Sequence, residues 1–210
     1  MMAPVIVVGG GGHSQVVIEA LLSQGIEIIG YTDLLGDKGN RQILNIGCLG
    51  DDDAVLSFHN DEILLANGIG SVGDMAKRKT IFEGFKKKSY NFASVIHATA
   101  VVAADTEIGE GTQILAGAIV QTGARIGANS IVNSGSIVEH HCLIGEHCHV
   151  SPGAVLAGKV ALEDGIHVGV GATIIQGMHL GARCLVAAGA VVIEDVPADG
   201  KVGGVPARQI

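Results

Sequence analysis

The sequence predicts a small α/β domain followed by a parallel β-helix of six-residue repeats. Every sixth residue from Ile96 to Val192 is Val, Ile or Leu, whereas residues 4–92 alternate apolar strands with glycine-rich turns and helices. The 32 glycines, the 3% aromatic content and the absence of tryptophan agree with this prediction. Stacked short strands need a core of small and aliphatic side chains.

The N-terminal part reads as a β-turn-α-β unit with a third strand and a second helix. The segments are a strand Val5 to Val8, the turn Gly9-Gly10-Gly11-Gly12-His13-Ser14, a helix Gln15 to Ser23, a strand from Ile26 to Thr32-Asp33, a strand Ile63 to Ala66, the turn Gly68-Ile69-Gly70-Ser71 and a basic helix from about Asp74 to Lys87. This order predicts a small parallel sheet.

The first glycine turn predicts a phosphate site. Its backbone N–H groups and the following helix N-terminus suit an anion, and Asp33, about twenty residues on, is placed to meet a ribose or base. Ser14 stands where the dinucleotide fingerprint has its last glycine, so a mononucleotide fits better than NAD. A glycine-rich turn without a ligand is the alternative.

The repeat also has a second, mostly small position two residues before each aliphatic one. Cys142, Cys148 and Cys184 fall on it, and we interpret them as buried filler and not as nucleophiles. Corner turns are assigned to glycines that follow the aliphatic position, such as Gly109, Gly127, Gly145, Gly169 and Gly181.

Composition and charge exclude several classes of protein. The net charge of −8 and the pI near 5.5 argue against a nucleic-acid partner. No apolar stretch is long enough to insert into a membrane, and the N-terminus reads as a first strand and not as a signal peptide. Four cysteines without CxxC spacing fit a cytoplasmic protein.

The chain resembles one family over essentially its whole length: the bacterial nucleotide-amino-sugar N-acetyltransferases and the related sialic acid O-acetyltransferases. The resemblance rests on the two glycine turns, the hexads and the terminal Gly204-Val205-Pro206-Ala207-Arg208. It implies a left-handed β-helix, a homotrimer, a nucleotide-sugar-binding domain at 1–92 and an acetyltransferase domain with its tail at 93–210. It also implies three hexads per coil, so that residues eighteen apart stack on neighbouring coils.

The activity implied by the resemblance is acetyl transfer from acetyl-CoA to the amino group of a nucleotide-linked amino-dideoxy sugar for surface glycan or glycoprotein synthesis. O-acetylation of a sialic-acid-type sugar is the alternative within the family. The implied sugar-nucleotide contacts are Gly11, Gly12, His13, Thr32, Asp33, Gly70 and Asn133. Uridine, guanosine and thymidine all stay open as the base.

Five histidines lie between His140 and His167, and the stretch Asn133-Ser134-Gly135-Ser136-Ile137-Val138-Glu139-His140-His141-Cys142 resembles the active-site segment of the family. The resemblance implies His140 as general base, with Glu139 and His141 beside it. A histidine suits this role because it titrates near neutral pH. The family usually places an acidic residue directly after the base, where this chain has His141. Glu139 or Glu146 is expected to compensate if the corner turns it inward.

The resemblance also implies a coenzyme A site between subunits, contacting His149, Gly158, His167, Val170 and Ala188. His149 is expected to donate to the thioester carbonyl. Lys201 or Arg208 is a candidate for the coenzyme's phosphates, and no metal is expected.

Two other classes of function compete with the transferase. A zinc enzyme similar to γ-class carbonic anhydrases would use His149 and His167 as ligands. A non-catalytic sugar-nucleotide binder would explain why His141 stands where the family usually has an acidic residue.

Overall fold

The computed structural model describes residues 3–34 and 41–210. The N-terminal domain is a sheet in the order β3-β4-β2-β1-β5, parallel except for the antiparallel β3–β4 pair. Its elements are β1 Val5–Val8, α1 Gly12–Ser23, β2 Ile28–Thr32, β3 Gln42–Ile43, β4 Ile46–Gly50, a 3₁₀ helix Asp52–Ser57, β5 Leu64–Asn67 and α2 Ala76–Lys87. The predicted β-turn-α-β unit and the parallel pairing of its strands are confirmed.

The β3–β4 hairpin was not predicted. Its two turn residues, Leu44 and Asn45, have φ angles of 50° and 68°. Turns of this kind usually carry Asn-Gly or Asp-Gly, because leucine rarely adopts a positive φ. The sequence therefore lacked the usual hairpin signal.

The second part is a parallel β-helix with three faces, and residue i pairs with residue i+18, as Ile119 does with Ile137. The domain face consists of β6 Val95–Ile96, β9 Gln113–Ile114, β12 Ile131–Val132, β15 His149–Val150, β18 His167–Val168 and β21 Leu185–Val186, extended by β23 Lys201–Gly203 and β24 Arg208–Gln209. The apolar face consists of β7 Val101–Val102, β10 Ile119–Val120, β13 Ile137–Val138, β16 Val155–Leu156, β19 Thr173–Ile174 and β22 Val191–Val192. The third face consists of β8 Glu107–Ile108, β11 Arg125–Ile126, β14 Leu143–Ile144, β17 Ala161–Leu162 and β20 His179–Leu180.

The predicted inward positions form the core of the helix. The second residue of most strands and the small residue two positions before it are buried together in one continuous cluster. Cys142, Cys148 and Cys184 belong to it, as predicted, and burial raises the pKa of Cys148 to about 12. A thiol in that state is protonated and packs as a small apolar group.

The assignment of the corner turns to Gly109, Gly127, Gly145, Gly169 and Gly181 is wrong. Positive φ angles instead recur every six residues from Gly111 to Gly189, two positions after that register. Gly109 and its equivalents allow the coils to approach, since a Cβ at Gly127 would lie 2.5 Å from the backbone carbon of Gly145.

The N-terminal domain packs on the domain face. Val5, Val17 and Tyr31 share a buried cluster with Leu115 and Ile131, whose side chains point outward from the β-helix. The outward side chains Gln113, Ile131 and His149 of this face are therefore buried between the two parts of the chain. None of the helices in the described residues has the length and apolarity needed to cross a membrane.

Candidate active site

A cleft of about 1060 Å³ opens where the carboxyl ends of β1, β2 and β5 meet the domain face. Ligands usually bind at this edge of a parallel sheet. The residues lining the cleft are Gly9, Gly10, Gly11, Gly12, His13, Val16, Asp33, Leu34, Arg41, Asp52, Gly68, Ile69, Gly70, Ser71, Val72, Lys77, Ile81, Asn133, Ser134, His149, Ser151, Pro152, His167 and Val170.

The first glycine turn forms one wall of this cleft. Gly11 is the N-cap of α1 and, among the described residues, no side chain caps the helix. The first-turn N–H groups are therefore left for an anion. Gly10 is required because a Cβ there would lie 2.4 Å from Oδ2 of Asp33. Thr32 is fully buried behind the turn, where its Oγ1 accepts the Gly9 N–H at 3.0 Å, so it shapes the turn without lining the cleft.

Two cationic residues of the cleft were not predicted. Arg41 pairs with Asp33 at 2.9 Å between Nη1 and Oδ2, and Lys77 extends from the first turn of α2. Lysine and arginine side chains complement a diphosphate. In the sequence, Lys77 follows the second glycine turn, as a phosphate-binding lysine would. This spacing could have identified it as a phosphate ligand.

The predicted His149 lies at the contact between the two domains and is only 6% exposed. Its Nδ1 donates to the Ser71 backbone oxygen at 3.1 Å and lies 2.8 Å from the Ser71 hydroxyl, while its Nε2 accepts from Nδ2 of Asn133 at 2.9 Å. Both ring nitrogens are thus engaged by Ser71 and Asn133, and a role for His149 at the thioester carbonyl stays a prediction. Its partner by register, His167, lies edge to face at 5.1 Å between ring centroids.

The predicted His13 also lies in a hydrogen-bonded network. Its Nε2 donates to Oε1 of Gln113 at 2.8 Å, and Gln113 in turn donates to the Asn67 backbone oxygen at 2.7 Å. Burial, and then the charge of Arg78, lowers the pKa of His13 to about 4. Burial, followed by the charges of His167, His13 and Arg78, lowers the pKa of His149 to about 3. Both rings are neutral at pH 7.

Arg78 links the second glycine turn to the β-helix. This side chain of α2 is 1% exposed, and it donates to the backbone oxygens of Asn67, Ile69 and Asn129 at 2.8–3.1 Å. Its second terminal nitrogen, Nη2, has no partner among the described residues. Burial lowers the pKa of Arg78 to about 9, so the guanidinium stays cationic at pH 7. A buried cation beneath the cleft favours an anionic ligand there.

The neutral histidines make stability depend on pH. Both folded-state pKa values lie below the unfolded value of about 6.5, so the unfolded chain binds more protons at acidic pH. The stabilisation that comes from keeping these rings neutral is fully present above about pH 6.5. It decreases by up to ~1.4 kcal/mol per pH unit for each ring, down to about pH 4 for His13 and about pH 3 for His149.

We therefore expect urea unfolding to show that His149→Asn loses less stability than the natural protein between pH 7 and pH 5, by ~2 kcal/mol. His59→Asn, at a histidine whose side chain is 75% exposed, is the matched control. An equal loss in all three proteins would contradict the buried, neutral state of His149.

His140, His141 and Glu139 lie elsewhere, at the corner between the apolar face and the third face. None of them is among the described residues that line the cleft. The two rings are hydrogen-bonded, with 3.2 Å between their Nδ1 atoms. Glu139 Oε2 accepts the backbone N–H of His140 at 3.3 Å, and Glu146 instead approaches His147.

The residues predicted to contact coenzyme A lie in the cleft, at the His140 corner and on a later coil. His167 and Val170 line the cleft beside His149. Gly158 lies against His140, since a Cβ there would be 2.6 Å from the ring. Ala188 is exposed on a later coil, and Arg208 approaches Glu194 at 3.7 Å.

Comparisons with known proteins agree along the whole chain. Residues 4–85 match the PglD N-terminal domain, and residues 123–158 match the bacterial transferase hexapeptide repeats. The structure of PerB from Caulobacter crescentus, in complex with CoA and GDP-perosamine, is 32% identical, with a TM-score of 0.91 over 100% of this chain and 98% of that one. The chain belongs to the hexapeptide-repeat nucleotide-amino-sugar N-acetyltransferases.

Two more solved structures resemble this acetyltransferase. The acetyltransferase domain of PglB from Neisseria gonorrhoeae, in complex with acetyl coenzyme A, is 28% identical, with a TM-score of 0.90 over all of both chains. WeeI from Acinetobacter baumannii is 25% identical, with a TM-score of 0.86 over 98% of this chain and 99% of that one. No curated protein sequence matches. The predicted fold class, a small α/β domain followed by a left-handed β-helix, is confirmed.

The zinc alternative finds no support in this acetyltransferase. Within the part of the chain that the structure describes, no group of three or more His, Cys, Asp or Glu side chains is arranged to hold a metal. His149 has both ring nitrogens engaged by Ser71 and Asn133, which leaves it no lone pair for a metal.

Proposed function

We propose that this acetyltransferase binds the nucleotide of an amino sugar in its cleft and acetylates the sugar's amino group from acetyl-CoA. The observation that carries the proposal is the cleft itself, where an uncapped helix N-terminus, Arg41 and Lys77 line one cavity above the buried Arg78. These groups suit a nucleoside diphosphate. The similar PerB structure contains CoA and GDP-perosamine, and the similar PglB domain contains acetyl coenzyme A.

His140 is proposed as the general base. The amine nitrogen attacks the thioester carbonyl, the C–N bond forms, and the nitrogen's excess proton passes to the Nε2 lone pair of His140. The C–S bond then breaks, and coenzyme A leaves as a thiolate that takes up a proton. The half-buried position of His140 against Gly158 leaves its ring accessible at the corner.

A homotrimer would bring these two places together. The cleft and His140 lie on different sides of one β-helix, so the reaction needs the His140 corner of a neighbouring subunit. The apolar face supports self-association because five of its six outward positions are aliphatic and Thr173 is the sixth. The five are Val101, Ile119, Ile137, Val155 and Val191. We place the enzyme in the cytoplasm, where its buried free cysteines suit reducing conditions.

A thiol-release assay tests the proposed function. Purified protein is incubated with acetyl-CoA and a panel of 4-amino sugars linked to UDP, GDP or dTDP, and the product is examined by mass spectrometry. We expect CoA release matched by acetylated product with one member of the panel. The absence of CoA release above background with every acceptor would overturn the function.

A further inference from the structure

The corner that carries His140 has two neighbouring imidazoles where its family has an imidazole and a carboxylate. The rings meet edge to face at 81°, and their Nδ1 atoms are 3.2 Å apart. One Nδ1 must donate and the other accept, so the pair shares a single proton at this contact.

His141 is held in place by the backbone of the corner and by the coil before it. Its φ angle of 57° sets the turn, a conformation that histidine adopts more readily than most residues. Its ring lies over Gly123, eighteen residues earlier, where a Cβ would be 3.0 Å from Cδ2 and 3.2 Å from Nε2. A side chain at Gly123 would press on the ring, and the φ angle of 69° there also favours glycine.

Asp105 occupies the equivalent corner one coil further back. Its Oδ2 accepts the Gly123 backbone N–H at 3.0 Å and the Thr122 hydroxyl at 2.7 Å. The Asp105 carboxylate and the His141 ring therefore both lie against Gly123. The Thr122 hydrogen bond is the largest cause of a lowered pKa at Asp105, and the charge of His141 contributes to it.

The other charged groups at this corner are less well placed. Glu139 is directed to the backbone N–H of His140 and not to a ring nitrogen. Lys159 follows on the next coil, is exposed, and contacts the corner through its own backbone N–H, which donates to the His140 oxygen. Asp105 is thus the carboxylate that interacts electrostatically with His141, with Gly123 between the two side chains.

We propose that His141 and Asp105 are positioning residues that replace the missing carboxylate of the family. His140 Nδ1–H donates to His141 Nδ1, which fixes the tautomer with a free lone pair on His140 Nε2. When that atom takes the proton of the attacking amine, the positive charge is shared with His141 and stabilised by Asp105. This inference rests on the proposed function of His140 as base.

The test compares Asp105→Asn, His141→Ala and His141→Glu with Asp164→Asn as the matched control. Asp164 makes the same kind of bond at another corner, where its Oδ1 accepts the Glu146 N–H at 2.8 Å. We expect Asp105→Asn and His141→Ala to lower kcat by about tenfold with little change in KM. Asp105→Asn moves the acid limb of the kcat/KM profile to lower pH, His141→Glu restores kcat, and Asp164→Asn changes neither.

Nitrogen NMR of ¹⁵N-labelled histidines, recorded without substrate, separates this inference from the proposed function. We expect His140 as the Nδ1–H tautomer and His141 as the Nε2–H tautomer, and the Asp105→Asn variant should change the ring-nitrogen chemical shifts of His141. Unchanged histidine spectra and an unchanged pH profile in a folded Asp105→Asn protein would overturn the proposal, even if acetyl transfer itself is observed.

Discussion

Replacing His140 with alanine should lower kcat by about 10²–10⁴-fold, the usual contribution of a general base. The amine must lose its proton as the tetrahedral intermediate forms and collapses, and no other ring nitrogen at this corner is free in the same way. His141 Nδ1 is already bonded to His140, and its ring lies over Gly123. Steady-state kinetics with acetyl-CoA and the accepted sugar nucleotide measure the effect.

Nucleotide affinity should be unchanged in the same variant, because His140 does not belong to the cleft of its own chain among the described residues. Calorimetric titration with the nucleoside diphosphate checks this. His179→Ala is the control, since His179 lies on the third face and pairs with Glu163 at 3.2 Å, away from the cleft. Full turnover by His140→Ala would remove His140 from the mechanism.

Replacing Arg78 with methionine should lower the free energy of unfolding by about 3–5 kcal/mol. The substitution leaves the buried oxygens of Ile69 and Asn129 without their donor, at about 1–3 kcal/mol for each unsatisfied group. The Asn67 oxygen loses one of its two donors and keeps Gln113. It also separates the second glycine turn from the β-helix, so nucleotide affinity should fall in the protein that remains folded.

Urea unfolding and calorimetry measure these two effects of the Arg78 substitution. Lys79→Met is the matched control on the same helix, because Lys79 is half exposed and forms a surface ion pair with Glu83 at 3.6 Å. Surface pairs of this kind contribute about 0–1 kcal/mol. A loss below about 1 kcal/mol for Arg78→Met would show that its three bonds are not a structural link.

The repeat made the β-helix predictable to the level of single residues. A period of six with a one-sided pattern sets which aliphatic positions are buried. The three hexads per coil implied by the family resemblance then give the observed pairing of residues eighteen apart. The corner glycines were misassigned because the close approach of neighbouring coils and a positive φ both select glycine. The sequence cannot separate these two requirements.

The site was predicted less completely, for a different physical reason. His149 was placed outward by its register, which is correct, but its burial depends on the N-terminal domain that covers this face. Arg78 carries no sequence signal, since it lies within a basic helix that reads as solvated. Asp105 could be related to His141 only after the turns of the corner were known.

In the proposed mechanism, the cleft of one subunit works with the His140 corner of another. The most direct test is the activity of trimers that contain two different inactive variants. The partner variant for His140→Ala is Gly11→Asp, which places a carboxylate at the proposed diphosphate site, where a Cβ meets no atom within 4 Å. In trimers assembled from equal amounts, about a quarter of the sites should combine an intact cleft with an intact His140. We predict recovery of about a quarter of the natural activity. Mixed trimers that form but stay inactive would contradict the shared site.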